Sequence, residues 1–288
     1  MRSVFNGGNI TDFERFIKQA KSTDESFQVI ISGMSRLVVF PNGTKMRFYG
    51  SKVKKPYVEG VFLTRMVRRE VDTYIEKNGI PDTKPLVDVQ QFNIKRIQEL
   101  CAMPKRIPVI GVDIDKCYWR TANILGYISD ELYERGLTTN KKMGLLVAIG
   151  CLNKFPIIKS FENGELSHRT KDYAYHERYS PFYWNIIYHT YQIMMDAYAE
   201  FQDDFVMYLT DCLFVTPKRM MDAKKFFQSR GYNTKTHVVD IRKYDGMRLE
   251  WYDNKDRKMK GIYAMNRDIS LENITNKLSR GMKNTPTA

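Results

Sequence analysis

Two aspartates set inside apolar, strand-like runs constrain this chain more than any other feature. One stands in Gly111-Val-Asp-Ile-Asp-Lys-Cys-Tyr-Trp-Arg120 and the other in Tyr208-Leu-Thr-Asp-Cys-Leu-Phe-Val215. An ionised carboxylate among such neighbours forfeits hydration worth several kcal/mol unless a partner replaces it. A divalent cation is the usual replacement. Carboxylates from distant parts of a chain, meeting on adjacent strands, can hold two Mg²⁺ ions about 4 Å apart, the arrangement that clamps the attacking and leaving oxygens in nucleotidyl transfer. Asp113 and Asp211 are therefore the candidate catalytic and metal-holding residues. Asp115, placed by strand alternation on the face of Asp113, is a candidate third ligand or an orienting partner for Lys116 or Arg120. The plainer alternatives are a strand-end acid capping a helix for Asp113 and an acid at an exposed hairpin tip for Asp211.

The flanking residues carry a family resemblance. Asp113 with Tyr118 five positions later resembles motif A of the family B DNA polymerases, and Thr210-Asp-Cys-Leu-Phe-Val215 resembles the second half of their motif C. Between them, Lys142 precedes Gly150 by the eight residues of motif B, with Lys141 beside it. The order A, B, C is the family's, and the resemblance covers roughly residues 107–265. It implies a palm-like antiparallel sheet backed by helices, and Mg²⁺ or Mn²⁺ held by Asp113 and Asp211. It also implies Tyr118 beneath the sugar of the incoming nucleotide, and Lys141, Lys142 and Gly150 at a nucleoside triphosphate. Read without the resemblance, Tyr118 is a core aromatic and Lys142 an exposed helix lysine. Lys260 and Tyr263, spaced one residue wider than the family's Lys-x-Tyr pair, and Lys258 beside them resemble its primer- or template-touching strand.

The departures from the pattern are specific. Leu146-Val147 and Ile149 stand where motif B carries Asn-Ser and an aromatic, Leu209 where motif C carries a further acid, and Trp119 where a proline is usual. The changes in motifs B and C remove contacts to the nascent base pair and primer strand. They leave the expected metal pair in place.

Charge supplies the partner class. The chain carries 46 Lys and Arg against 33 Asp and Glu, a net charge of +13, and the cations cluster at Lys52, Lys54, Lys55, at Arg65, Arg68, Arg69, at Lys218-Arg219, at Lys224-Lys225 and at Arg257-Lys258-Lys260. Such clusters bind phosphate backbones, although any single one is also an ordinary solvated helix face. Together they favour nucleic acid, DNA by the resemblance. The cysteines at 101, 117, 151 and 212 lack zinc spacing and are expected as free thiols. No apolar run approaches the roughly 18 residues of a membrane helix and no secretory leader is apparent, so no membrane is expected.

Along the chain, a helix is expected over 12–21 with Thr11 as cap, then a hairpin whose Asn42-Gly43 supplies both positive φ angles of a type I′ turn. Helices are expected over 60–78, from Gln90 to Ala102, from Ala122 to Arg135, from Lys141 to Leu152, from Pro181 to Phe201 and from Met220 to Gly231. Strands are expected over 107–113, 205–215, 236–241, 246–251 and 260–265. The reading is an α+β fold with a hairpin-and-helix region over 1–106, a palm/fingers-like domain over 107–270 and a flexible tail over 271–288. By the resemblance, an exonuclease and a thumb are absent. Function follows as Mg²⁺-dependent nucleotidyl transfer by a reduced family B polymerase of a phage or mobile element, located in the host cytoplasm or a virion. The alternatives are a non-catalytic palm relative that binds nucleic acid or a phage replication or virion protein, and a nuclease using the same carboxylates.

Overall fold

The computed structural model describes residues 4–20, 26–32, 35–49, 55–83, 90–138, 142–163 and 165–264. The fold is mixed α+β. It divides into two compact units, Met1–Asp82 with Tyr127–Tyr183, and Thr83–Gly126 with Trp184–Ala288. The blocks expected from the sequence follow one another along the chain, whereas these units alternate along it. The expected tail lies outside the described residues.

The first unit opens with β1 (Val4–Asn9), α1 (Ile10–Ala20), β2 (Phe27–Ser32), β3 (Ser35–Val39), β4 (Lys45–Tyr49) and α2 (Lys55–Asn78). The second unit takes β5 (Gln90–Phe92), α3 (Ile94–Ala102), β6 (Val109–Ile114) and α4 (Cys117–Ile124). The chain returns to the first for α5 (Asp130–Thr138), α6 (Lys142–Gly150), β7 (Ile157–Glu162) and β8 (Glu165–Lys171). Then α7 (Tyr173–Phe201) belongs to the first unit through Tyr183 and to the second beyond it. The remaining elements are β9 (Phe205–Leu209), β10 (Cys212–Val215), α8 (Met220–Gln228), β11 (Thr234–Tyr244), β12 (Arg248–Asp253) and β13 (Lys258–Tyr263). No described helix is long and apolar enough to cross a membrane.

In the first unit a six-stranded sheet has the order β1-β4-β3-β2-β7-β8, with β1 parallel to β4 and the other pairs antiparallel. Phe13, Phe16 and Ile17 of α1 pack on Phe27, Val29, Val38, Phe48 and Phe161. The helix starts earlier than expected because Asn9 caps it instead of Thr11. Asn9 Oδ1 accepts from the N–H of Thr11 at 2.8 Å and of Asp12 at 3.1 Å, and Asp12 Oδ2 accepts from Asn9 N at 2.8 Å. The β3–β4 turn also differs: only Gly43 has positive φ, at 80°, and its N–H donates to Phe40 O at 2.8 Å. Pro41, whose ring fixes φ near −65°, suits the first central position of a type I turn and excludes the type I′ geometry built on Asn42. Gly79, at φ 78°, ends α2 as expected.

Two further expectations are corrected in the helices. The stretch from Ala122 to Arg135 is two helices, broken where Gly126 takes φ 71° and where Ser129 Oγ accepts from Leu132 N at 3.2 Å to begin α5. Pro181 does not open α7 but lies inside it. Asp172 supplies the real start, its Oδ1 accepting from Tyr175 N at 2.9 Å, so the helix tolerates a proline at the loss of one backbone bond.

The second unit is built on a seven-stranded antiparallel sheet, β13-β12-β11-β6-β10-β9-β5. Residues 90–92, expected as helix, form its edge strand against β9, and Asn93 Oδ1 accepts from Arg96 N at 3.0 Å to start α3 after it. In chain order β6, the helices α4 and α7, then β9, β10, α8 and β11 make strand, helices, strand, strand, helix, strand. Their spatial order β11-β6-β10-β9 is that of the split βαβ motif. Ile193, Met194, Ala197, Phe201, Phe226 and Phe227 of α7 and α8 cover Val112, Ile114, Leu213 and Val215 on one face. On the other face Ile97 and Leu100 of α3 join Val109, Phe214, Val239, Ile241 and Trp251.

Candidate active site

Strand alternation on β6 sends Val112 and Ile114 into the helix-covered core and Asp113 to the opposite face, half-buried. The strand is central, and its register sets Asp113 opposite Cys212 on one side and Lys235 on the other. Asp211, expected within a strand over 205–215, is not in one, because the chain turns between β9 and β10. It lies in the turn of the β9–β10 hairpin, half-buried, beside Thr210 at φ 56°. Its carbonyl oxygen accepts from Ile114 N at 3.0 Å, so both aspartates stand at the same end of two adjacent strands. Their charges also act on the same two thiols. Cys117 is pushed up to about 12, first by burial and then by Asp211 and Asp113, against hydrogen bonds from Thr190 and Thr121. Cys212 is raised by burial and then by Asp113 and Asp211.

The neighbours of the pair divide into locked and open groups. Asp115 lies in the turn after β6, and Lys235 Nζ donates to its Oδ1 at 2.6 Å. Lys116, at φ 53°, swings the chain into α4, where Tyr118 is partly buried against the helix-side core. Beneath α4, Cys117, Thr121, Thr190 and the Tyr232 hydroxyl form a buried polar cluster, with Thr121 Oγ1 3.0 Å from Tyr232 Oη.

A cavity of about 210 Å³ opens beside Asp113, walled by Cys212, His237, Trp251, Asp253 and Lys260 among others. Lys260 Nζ reaches Asp253 at 2.7 Å and Asp256 at 2.6 Å. Burial alone would raise the Asp253 carboxyl. The Lys260 ammonium and the N–H groups of Asp256 and Lys255 overcome that and hold it below the usual carboxylate range. His237 lies over Gly111, where any Cβ would fall 2.5 Å from its ring; burial lowers the imidazole's pKa. Gly111 is thus fixed by the ring rather than by its backbone angles.

The other residues singled out in the sequence fall in different places. Lys258 and Tyr263 are exposed on β13, the strand that brings Lys260 to the cavity. Lys142, Gly150, Arg65, Arg68 and Arg69 belong to the first unit, and Lys141 lies outside the described residues. Lys142 is the exposed first residue of α6. Gly150 has an ordinary helical φ of −61°, and a Cβ there would meet nothing within 4 Å, so the backbone does not require a glycine. On α2, Arg65 bonds the Tyr49 hydroxyl and lies over its ring at 5.4 Å, Arg68 hydrogen-bonds Tyr175, and Arg69 is exposed. His237, Trp251 and Asp253 were not visible as site residues in the sequence. Each sits on a strand whose pairing, not whose local pattern, carries it to Asp113. Among the described residues no group of three or more His, Cys, Asp or Glu is placed to hold a metal ion. No protein-family model, curated protein or solved structure matches this chain.

Proposed function

We propose that the second unit is a palm of the reduced family B polymerase type and carries out divalent-metal-dependent nucleotidyl transfer on nucleic acid, DNA by the resemblance. The observation that carries the reading is the placement of Asp113 and Asp211 at one end of the two central strands, one on β6 and one at the β9–β10 turn. The split βαβ strand order around them supports it. The donor set fits Mg²⁺ or Mn²⁺: two carboxylates are what Mg²⁺ commonly takes from a protein when substrate phosphates and water complete its shell. Such an ion, when bound, supplies Lewis-acid activation of an attacking hydroxyl and charge neutralisation of the leaving pyrophosphate. The chain's own residues do the rest. Asp113 and Asp211 provide negative charge held in place at one end of the sheet, Tyr118 at the start of α4 limits the space beneath the sugar, and the exposed Lys258 on β13 faces the strand being extended, while Lys260 is held by Asp253 and Asp256.

A second reading, a palm relative that binds nucleic acid without catalysis, is favoured by Leu209 in place of a further acid and by Lys235 holding Asp115. Incubation of the protein with labelled primed template, nucleotides and Mg²⁺ or Mn²⁺ separates the readings. Extension that is lost in Asp113→Asn and in Asp211→Asn, with template binding retained, supports catalysis. Retention without extension supports the second reading, and cleavage of the template replaces both with a nuclease.

A further inference from the structure

The edge hairpin β7–β8 of the first unit carries an unbalanced row of cations. Its register sets Lys159 directly opposite Arg169 and Lys171 opposite Ile157. Strand periodicity therefore puts Lys159, Arg169 and Lys171 on one face. Like charges directly opposed across two strands are destabilising, and nothing in the described structure relieves this pair. Among the described residues none of the three lies within ion-pair distance of a carboxylate. The adjacent acid Asp172 caps α7, and Glu162 and Glu165 face each other at the hairpin tip. At the foot of the hairpin Phe155 and Tyr173 are 40% and 47% exposed, their rings edge to face at 5.7 Å. His176 stacks on Phe155 at 3.6 Å, and the Lys171 ammonium lies 5.3 Å from the Phe155 ring centre.

We propose that this face is a docking surface for single-stranded nucleic acid, with Arg169 and Lys171, two residues apart on β8, on successive phosphates, Lys159 beside Arg169 across the hairpin, and unstacked bases against Tyr173 and Phe155. A strand places residues i and i+2 about 6.7 Å apart, which matches the spacing of phosphates along an extended single strand. A polyanion lying over the row removes the repulsion between Lys159 and Arg169. Cations combined with exposed rings are the usual means of holding single strands, since every base offers a stacking face. A duplex keeps its bases away from the rings. The surface uses neither aspartate of the candidate active site, so it stands or falls apart from the catalytic reading.

The test is fluorescence anisotropy of a labelled oligothymidylate titrated with the full chain in EDTA, so that no metal bridge contributes. Arg169→Glu with Lys171→Glu should weaken binding at least tenfold and lower the log-log salt slope by about 1.4, roughly 0.7 per phosphate contact. Tyr173→Ala should weaken binding roughly tenfold with the slope unchanged. The same charge change at Lys18 and Lys77, on α1 and α2 of the same unit, should leave affinity near that of the parent. Arg169→Gln is the milder variant if the double reversal does not fold. Parental affinity in both Arg169 variants overturns the proposal, as does an equal loss in the Lys18 and Lys77 control. A surface that holds polyglutamate or phosphatidylserine vesicles as tightly as the oligonucleotide, with no dependence on Tyr173, overturns it too.

Discussion

Gly111→Ala tests the account of the cavity most directly, because the geometry sets its cost. The added methyl would fall 2.5 Å from His237 Cε1, 2.7 Å from Nε2 and 3.0 Å from Nδ1. Ordinary carbon contacts lie near 3.5–4.0 Å, so the ring has to retreat by about 1 Å. It is not free to do so: it stands edge-on to Phe214 with centroids 5.7 Å apart and is half-buried. Overpacking of this kind costs about 1–3 kcal/mol, of which about 0.4–1 kcal/mol is offset by the smaller unfolded-state entropy of alanine. A net loss of about 1–2 kcal/mol corresponds to a fall of roughly 2–8 °C in the melting transition of a domain this size. Differential scanning calorimetry reads it. His237→Ala empties the space the methyl needs, so the double variant should recover most of the loss, with a coupling of about 1 kcal/mol. A Gly111→Ala protein that melts with the parent, or a double variant no more stable than the sum of its singles, refutes the assignment of His237 to that position.

Tyr118→Ala should admit ribonucleotides with the fold intact if the ring lies beneath a sugar; a loss of about 3–5 kcal/mol with unchanged sugar preference identifies it as a core aromatic instead. Tyr232→Phe should cost about 1 kcal/mol in urea unfolding, since the Thr121 hydroxyl at 3.0 Å loses that partner in a fully buried site; no change removes the cluster from the stabilising interactions. Stability should fall in two stages on acidification. His189 and His237 are lowered by burial, so their contribution is complete above pH about 6.5 and is lost as pH falls below it. At Asp204 and Asp253 burial opposes ionisation, but Lys218 and Lys260 respectively prevail and lower both carboxyls. Their contribution is present above pH about 4 and disappears as pH falls through the lower folded values. His189→Gln should flatten the upper stage and Asp204→Asn the lower, as read by melting temperature against pH; stability that rises between pH 7 and 5 contradicts the assignment.

What the sequence revealed follows from how local each signal is. The strand β6 was legible because its apolar run acts over a few residues, whereas the run over 205–215, expected as one strand, is two, broken by the turn at Thr210-Asp211. The β3–β4 turn was misread because Asn42-Gly43 is a strong signal in isolation and Pro41 overrules it. The start of α7 was missed for a related reason: Pro181 is a common helix opener, and the cap that outranks it is the single Asp172 side chain. The meeting of Asp113 with Asp211 was inferred from two apolar contexts, and the turn position of Asp211 was weighed as its plainer alternative. Lys235 on Asp115 and His237 on Gly111 depend on the pairing of β11 with β6, more than a hundred residues apart, and no window of sequence contains that register.

The central strand β6 pairs with β10 and β11, whose residues come about a hundred positions later, and the intervening chain includes Tyr127–Tyr183 of the other unit. On the ribosome, then, β6 emerges without either neighbour and waits while another core is made. The first unit has all its strands once β8 is out; the second cannot close until β11 is free. During that interval an apolar strand with both edges open is exposed to solvent, the state most prone to pair with a copy of itself. Yield of folded protein should therefore depend on translation rate and chaperone supply more than on the stability of the finished sheet. Cutting the chain between residues 126 and 127 would separate β6 from the strands it needs rather than release an independent domain.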